Sequence, residues 1–152
     1  MEMKDKSERR FSVHLDHLEG FRFRSQASEE GRMHGDPLIS DEPDPVGDAS
    51  GPATPSMLGA AIGHCLSASL LECLRRARVP VTGFGADVDS VVRLNDEGLP
   101  RIDHISVTLR PSVEVGATRH GRCEEVFQKH CTVCSSVKEG IDVDVQVDWQ
   151  FQ

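Results

Sequence analysis

Two cysteines in this chain have the setting for thiol redox chemistry. Cys65 sits midway along the only long helical pattern, and Cys131 opens the run Cys131-Thr132-Val133-Cys134 far downstream. A cysteine attacks only as its thiolate, which nearby positive charge or a helix N-terminus favours. Cys65 lies about ten residues into its helix, too deep for the dipole, whose effect fades within the first turn. An arginine from elsewhere is then required, and Arg22, Arg24 and Arg32 are the candidates. On pattern alone, Cys65 reads first as a small buried apolar residue. Cys131-x-x-Cys134 has the spacing of a redox motif or of half a metal site. His120, Cys123 and His130 lie close by, so a zinc set of Cys123, His130, Cys131 and Cys134 is a second option, though a lone knuckle lacks the usual partner pair. Cys73 and Cys123 read as core thiols. His64 and His130 neighbour candidate thiols and receive no role.

Composition bounds the rest. The chain has 152 residues, room for one domain with a real core. Aromatics make up only 5%, so that core must be built from Val, Leu, Ile and Ala. A net charge of −8 argues against nucleic acid, because phosphate binding wants a basic face. No run is read as approaching the roughly 20 apolar residues of a membrane span. Residues 1–10 are charged and lack the apolar core of a signal peptide, so the expected setting is the cytoplasm. An odd count of five cysteines then makes a structural disulfide framework unexpected.

The elements that must position the thiols follow from periodicity. Residues 1–9 are a polar tail, and residues 10–152 read as a single domain. Phe11, Val13 and Leu15 alternate with polar residues, as do Phe21 and Phe23, which predicts a hairpin turning at 17–20. Leu38 and Ile39 end a short third strand. Residues 40–55 hold prolines and glycines and form a long loop. Its acidic run from Asp41 to Asp48 reads as solvated. Thr54-Pro55 starts a helix, with proline at the first helical position. From Met57 an apolar stripe runs through Leu58, Ala61, Ile62, Cys65, Leu66 and Leu70 to Cys73, until Pro80 stops the helix. Gly59 and Gly63 each cost about 1 kcal/mol against alanine there, which predicts close packing on another backbone. Alternation over 86–94 and 102–109, around the turn at 95–98, predicts a second hairpin. Residues 117–130 read as a helix, and 132–138 as a helical turn closed by Gly140. Ile141, Val143, Val145, Val147 and Trp149 alternate with polar residues as a final strand. Hairpins interleaved with helices make the fold class α+β. One long helix with so many small residues needs cover, which favours a dimer.

Nucleotide-binding glycine loops, the H-E-x-x-H zinc motif and the G-x-S-x-G nucleophile elbow are all missing from the sequence. The remaining motifs resemble a known family. Asp41-Glu42-Pro43, Gly51-Pro52 and the stretch from Pro55 through Gly59-Ala60-Ala61-Ile62-Gly63-His64-Cys65-Leu66 are similar to the central helix region of the OsmC family. So are Arg122-Cys123-Glu124-Glu125-Val126-Phe127, Cys131-Thr132-Val133 and the ending Gly140-Ile141-Asp142-Val143-Asp144-Val145. The resemblance covers roughly residues 10–149.

It implies antiparallel sheets wrapped around long central helices in an intertwined homodimer, with two cysteines together at a site between subunits. It also implies a reaction. Cys65 is the peroxidatic thiol that becomes a sulfenic acid, and Cys131 is the resolving thiol that closes a disulfide. The substrate is an organic hydroperoxide, the reductant a dithiol, the role oxidative stress defence, and no cofactor or metal is called for. The peroxidase branches carry a Glu just before the central helix to hold an activating Arg, where this chain reads Thr54-Pro55-Ser56-Met57. Leu58, Ile62, Leu66 and Phe127 are expected to wall the substrate tail. The alternative is a non-enzymatic, stress-induced or small-ligand-binding protein that keeps the fold and the thiols.

Overall fold

Period-two alternation at Phe11, Val13 and Leu15 marks the first strand, whereas Phe21 falls in the turn and the second strand starts only at Phe23. In the computed structural model, which describes residues 8–152, strands β1 (Phe11–His17), β2 (Phe23–Glu29) and β3 (Arg32–Ser40) form an antiparallel meander in the order β1-β2-β3. Most of the polar tail expected at the N-terminus, residues 1–7, lies outside the described residues. β3 is longer than its apolar end suggests, because backbone pairing with β2 carries Arg32, Met33 and His34 along. The loop after β3 is ordered around one carboxylate. Asp41 accepts the backbone N–H groups of Glu42, Asp48 and Ser50, together with the Ser50 hydroxyl. These bonds, led by those from Ser50, hold its carboxyl below the usual range.

The helix predicted from Thr54-Pro55 is α1 (Thr54–Arg76). It stops before Pro80, with Arg78 in the left-handed region at φ 57°. By length and composition α1 is apolar enough to cross a membrane, which corrects the expectation that no run approaches a span. Instead it buries Gly59, Ile62, Gly63, Leu66, Leu70 and Leu74 as a core helix.

The described residues divide into two compact units, with the boundary at Leu58 and Gly59. In the second unit β4 (Val81–Leu94) and β5 (Pro100–Val113) form the expected hairpin, turning where predicted. It is longer than the apolar alternation because the ladder continues to Val81 and Val113. Ala86, Val88 and Ser90 stand opposite Leu109, Val107 and Ile105, and this face meets α1. Gly59 and Gly63 make that approach possible. A Cβ on Gly63 would sit 2.6 Å from Val88 Cγ2, and one on Gly59 would sit 2.8 Å from Ser90 Oγ.

The helix read over 117–130 is shorter and divided. α2 spans His120–Val126, a 3-10 helix follows over Phe127–His130, and α3 spans Thr132–Glu139 up to Gly140. The expected final strand is absent: residues 141–152 run without secondary structure, and Ile141, Val143, Val145, Val147 and Trp149 are exposed. Alternation supplies a strand's pattern, but no strand among the described residues pairs with it.

Candidate functional site

The apolar stripe that builds α1 also aims Cys65, Ser69 and Cys73 along one side of it, since residues four apart share a face. The α2 to α3 segment lies against that side and buries Cys123, Phe127, Cys131 and Cys134. The thiols of Cys65 and Cys131 are neighbours there, close enough for Cys65 to act on the Cys131 proton. Cys65 is partly exposed, and Cys131 is only 1% exposed. Cys131 is also the N-cap of α3, and its Sγ accepts the backbone N–H of Cys134 at 3.3 Å. Burial and, secondly, the neighbouring Cys65 thiol push the Cys131 thiol up to about 11. Cys131 therefore stays protonated at neutral pH despite its place at a helix start. Desolvation outweighs the single backbone donor.

The second cysteine pair corrects a sequence expectation. Cys73 and Cys123 are not free core thiols but a disulfide, with Cα atoms 5.6 Å apart. The odd cysteine count makes such a bond unexpected. The helical run of α1 and the register of α2 nonetheless bring these two backbones within disulfide range. The bond also removes Cys123 from the zinc set that the sequence permits. Among the described residues no group of three or more His, Cys, Asp or Glu stands ready to hold a metal.

A cleft of about 360 Å³ opens beside Cys65, lined by Ala68, Ser69, Glu72, Arg76, Val126 and His130. The residues expected to wall a substrate tail are elsewhere: Ile62, Leu66 and Phe127 are buried in the core. Helical phase identified an apolar face correctly but not which part of it stays open. Ser69, Val126 and Arg76 line the cleft although none was a candidate on sequence. The spacing of Cys65, Ser69, Cys73 and Arg76 along one helix side was the available signal.

Each candidate arginine has a carboxylate beside it. Arg22 pairs with Glu19 and Arg24 with Asp16 inside the first sheet unit. Arg32 stands opposite Glu29 in the β2–β3 ladder. Arg76, the arginine that lines the cleft, is three turns along α1 from Cys65, roughly 16 Å at the rise of a helix. At that range a solvated charge is screened from the thiol. Arg76 and Arg75 instead clamp Glu72, at 2.6 and 2.8 Å. The hydrogen bond from Arg75, then that from Arg76, hold the Glu72 carboxyl down to about 2.

Residues 47–146 match the family model described as OsmC-like protein. Among solved structures the fold is similar to an OsmC-like protein of unknown function from Vibrio cholerae, at 12% identity and a TM-score of 0.65, covering 87% of this chain and 94% of that one. It is also similar to an organic hydroperoxide resistance protein from Legionella pneumophila, at 12% identity and a TM-score of 0.54, covering 89% and 92%. A third similar structure is an organic hydroperoxide resistance protein from Elizabethkingia anophelis, at 14% identity and a TM-score of 0.55, covering 90% and 91%. No curated protein matches the sequence significantly.

Proposed function

The chain belongs to the OsmC-like family, and from that premise we propose that it reduces organic hydroperoxides through its thiols, in oxidative stress defence. The observation that carries this reading is the closeness of the Cys65 and Cys131 thiols, both free, because thiol peroxidase chemistry needs an attacking thiol with a resolving thiol in reach. The Cys65 thiolate attacks one oxygen of the hydroperoxide. The O–O bond breaks, Cys65 becomes a sulfenic acid, and the alkoxide leaves as an alcohol after taking a proton. Cys131 then attacks the sulfenic sulfur, an S–S bond forms and water departs. A dithiol reductant takes over that disulfide in two exchange steps and restores both thiols. The half-exposed Cys65 is the sulfur that substrate and reductant reach, whereas buried Cys131 suits the second role. Ala68 and Val126 offer apolar wall to the organic tail.

The working form in this reading is a cytoplasmic homodimer of one domain over residues 10–152. In support, the family match runs across the Leu58 boundary between the two compact units. The exposed apolar residues of the C-terminal segment and of β1 further support a partner subunit. The named relatives from Legionella and Elizabethkingia are hydroperoxide resistance proteins, which agrees with the proposed substrate class.

The test is consumption of cumene or tert-butyl hydroperoxide by the purified protein with a dithiol reductant. Wild type should turn over. Cys65→Ser should be inactive, and Cys131→Ser should accumulate a trappable sulfenic acid at Cys65. A wild type that consumes neither hydroperoxide sinks the proposal and leaves the ligand-binding alternative.

A further inference from the structure

Cys65 and Cys73 are as far apart on α1 as Cys123 and Cys131 are on the segment that packs against it. The first pair faces the second in reverse order: Cys73 bonds to Cys123, and Cys65 neighbours Cys131. The two contacts are rungs of one antiparallel ladder, roughly 12 Å apart along the helix. One rung is a closed disulfide, and the other is a pair of thiols. The cleft beside Cys65 spans both rungs, with Ala68 and Ser69 on one side and Val126 and His130 on the other. Between the rungs the segment is short and irregular: the last three residues of α2 pass into four of 3-10 helix. Such a segment has little helical stability of its own and depends on what ties it down.

We propose that Cys73 and Cys123 are a positioning pair: their disulfide holds the α2 segment in register on α1, so that Cys131 stands against Cys65. The inference rests on the reading of Cys65 and Cys131 as the reacting pair. Its physical basis is effective concentration. A covalent tie two helical turns away confines Cys131 to the neighbourhood of Cys65, and releasing the tie dilutes it over the segment's freed conformations. A dithiol that opens the rung gives up two hydrogens, becomes a disulfide itself and leaves two thiols. The rung bears on resolution, where Cys131 must find the sulfenic acid. It does not bear on the attack of Cys65 on the hydroperoxide. The redox state of one cysteine pair thereby sets the resolving efficiency of the other.

The test compares rung-closed protein with the Cys73→Ser/Cys123→Ser variant, which keeps the rung open under oxidant. Sulfenic acid formation is followed by trapping with dimedone in a Cys131→Ser background, and disulfide formation by peptide mapping after one equivalent of cumene hydroperoxide. Sulfenic acid formation should change less than twofold, while Cys65–Cys131 closure should slow at least tenfold. Unchanged closure overturns the proposal, and so does an equal loss in both steps, which is mere loosening of the fold. A second arm replaces hydroperoxide by diamide, which joins the two thiols without a sulfenic acid. The same tenfold slowing is expected there, and equal rates overturn it. Should hydroperoxide leave Cys65 untouched while diamide still separates the two forms, the peroxidase reading fails and the positioning role stands. If the double variant does not fold, Cys73→Ala/Cys123→Val, with apolar side chains at both positions, carries the same comparison.

Discussion

The burial that raises Cys131 to about 11 makes pH the direct probe of its part in the reaction. If resolution runs through its thiolate, closure of the Cys65–Cys131 disulfide should speed up about tenfold per pH unit from pH 7 to 10, since the thiolate fraction grows in that proportion below the pKa. Stopped-flow closure rates after a fixed dose of hydroperoxide measure this, and a flat profile removes Cys131 thiolate as the resolving species. The same shift has a sign for stability. The folded protein keeps the proton between the ordinary thiol value of 9.0 and about 11, so this contribution is complete below pH 9 and is lost as pH rises toward 11. Glu72 behaves oppositely, because its two arginine partners favour the charged form. Its contribution is present above the ordinary carboxylate value and fades as pH falls toward 2.

At the scale of elements, α1 is held to its two neighbours by different means. On the β4 side the contact is steric: Gly63 leaves no room for a methyl group beside Val88. Gly63→Ala gains about 1 kcal/mol of helix propensity but overpacks a stiff β-branched neighbour at a cost of about 1–3 kcal/mol. Urea unfolding should therefore show it neutral to about 2 kcal/mol less stable, with recovery in Gly63→Ala/Val88→Ala. A clear gain in stability from the single change contradicts the packing. Gly121, in α2, faces open space. Gly121→Ala should stabilise by about 0.5–1 kcal/mol in the same assay. On the other side the tie is covalent. The Cys73–Cys123 bond closes a loop with a sequence separation of 50. Replacing both cysteines by alanine should cost about 2–4 kcal/mol, with unfolded-chain entropy as the main source.

At the scale of the molecule, one copy leaves too much apolar surface in water. Val145 is 82% exposed and Trp149 is 74% exposed, on a segment with strand alternation and no strand to pair with. A second copy of the chain would give that segment a partner edge and cover its apolar side. Light scattering should accordingly find a dimer, and Val145→Asp/Trp149→Glu should shift it toward monomer. A monomeric wild type at micromolar concentration rejects this assembly.

Local rules carried much of this protein. Thr54-Pro55 and Pro80 bracket α1, Gly59 and Gly63 announce its close contact, and strand alternation locates β1 and the β4–β5 hairpin, because each feature depends on neighbours in sequence. The motif around Cys65 and Cys131 was legible as a family likeness, and its two thiols do stand together. What local rules do not contain is the register of α2 against α1. That register brings Cys73 to Cys123, leaves open the cleft beside Ala68 and Val126, and buries Ile62, Leu66 and Phe127 that an apolar stripe alone would offer as pocket wall. It is set by the packing of side chains far apart in sequence. The expected last strand failed for the same reason: alternation makes a segment ready to pair, and only the presence of another strand makes it one. Sequence by itself determined the long helix, the β4–β5 hairpin and the thiols that are candidates for redox chemistry. Tertiary structure decided which thiols touch, which are already bonded and how burial sets the proton on Cys131, because distance and desolvation exist only once the chain has packed.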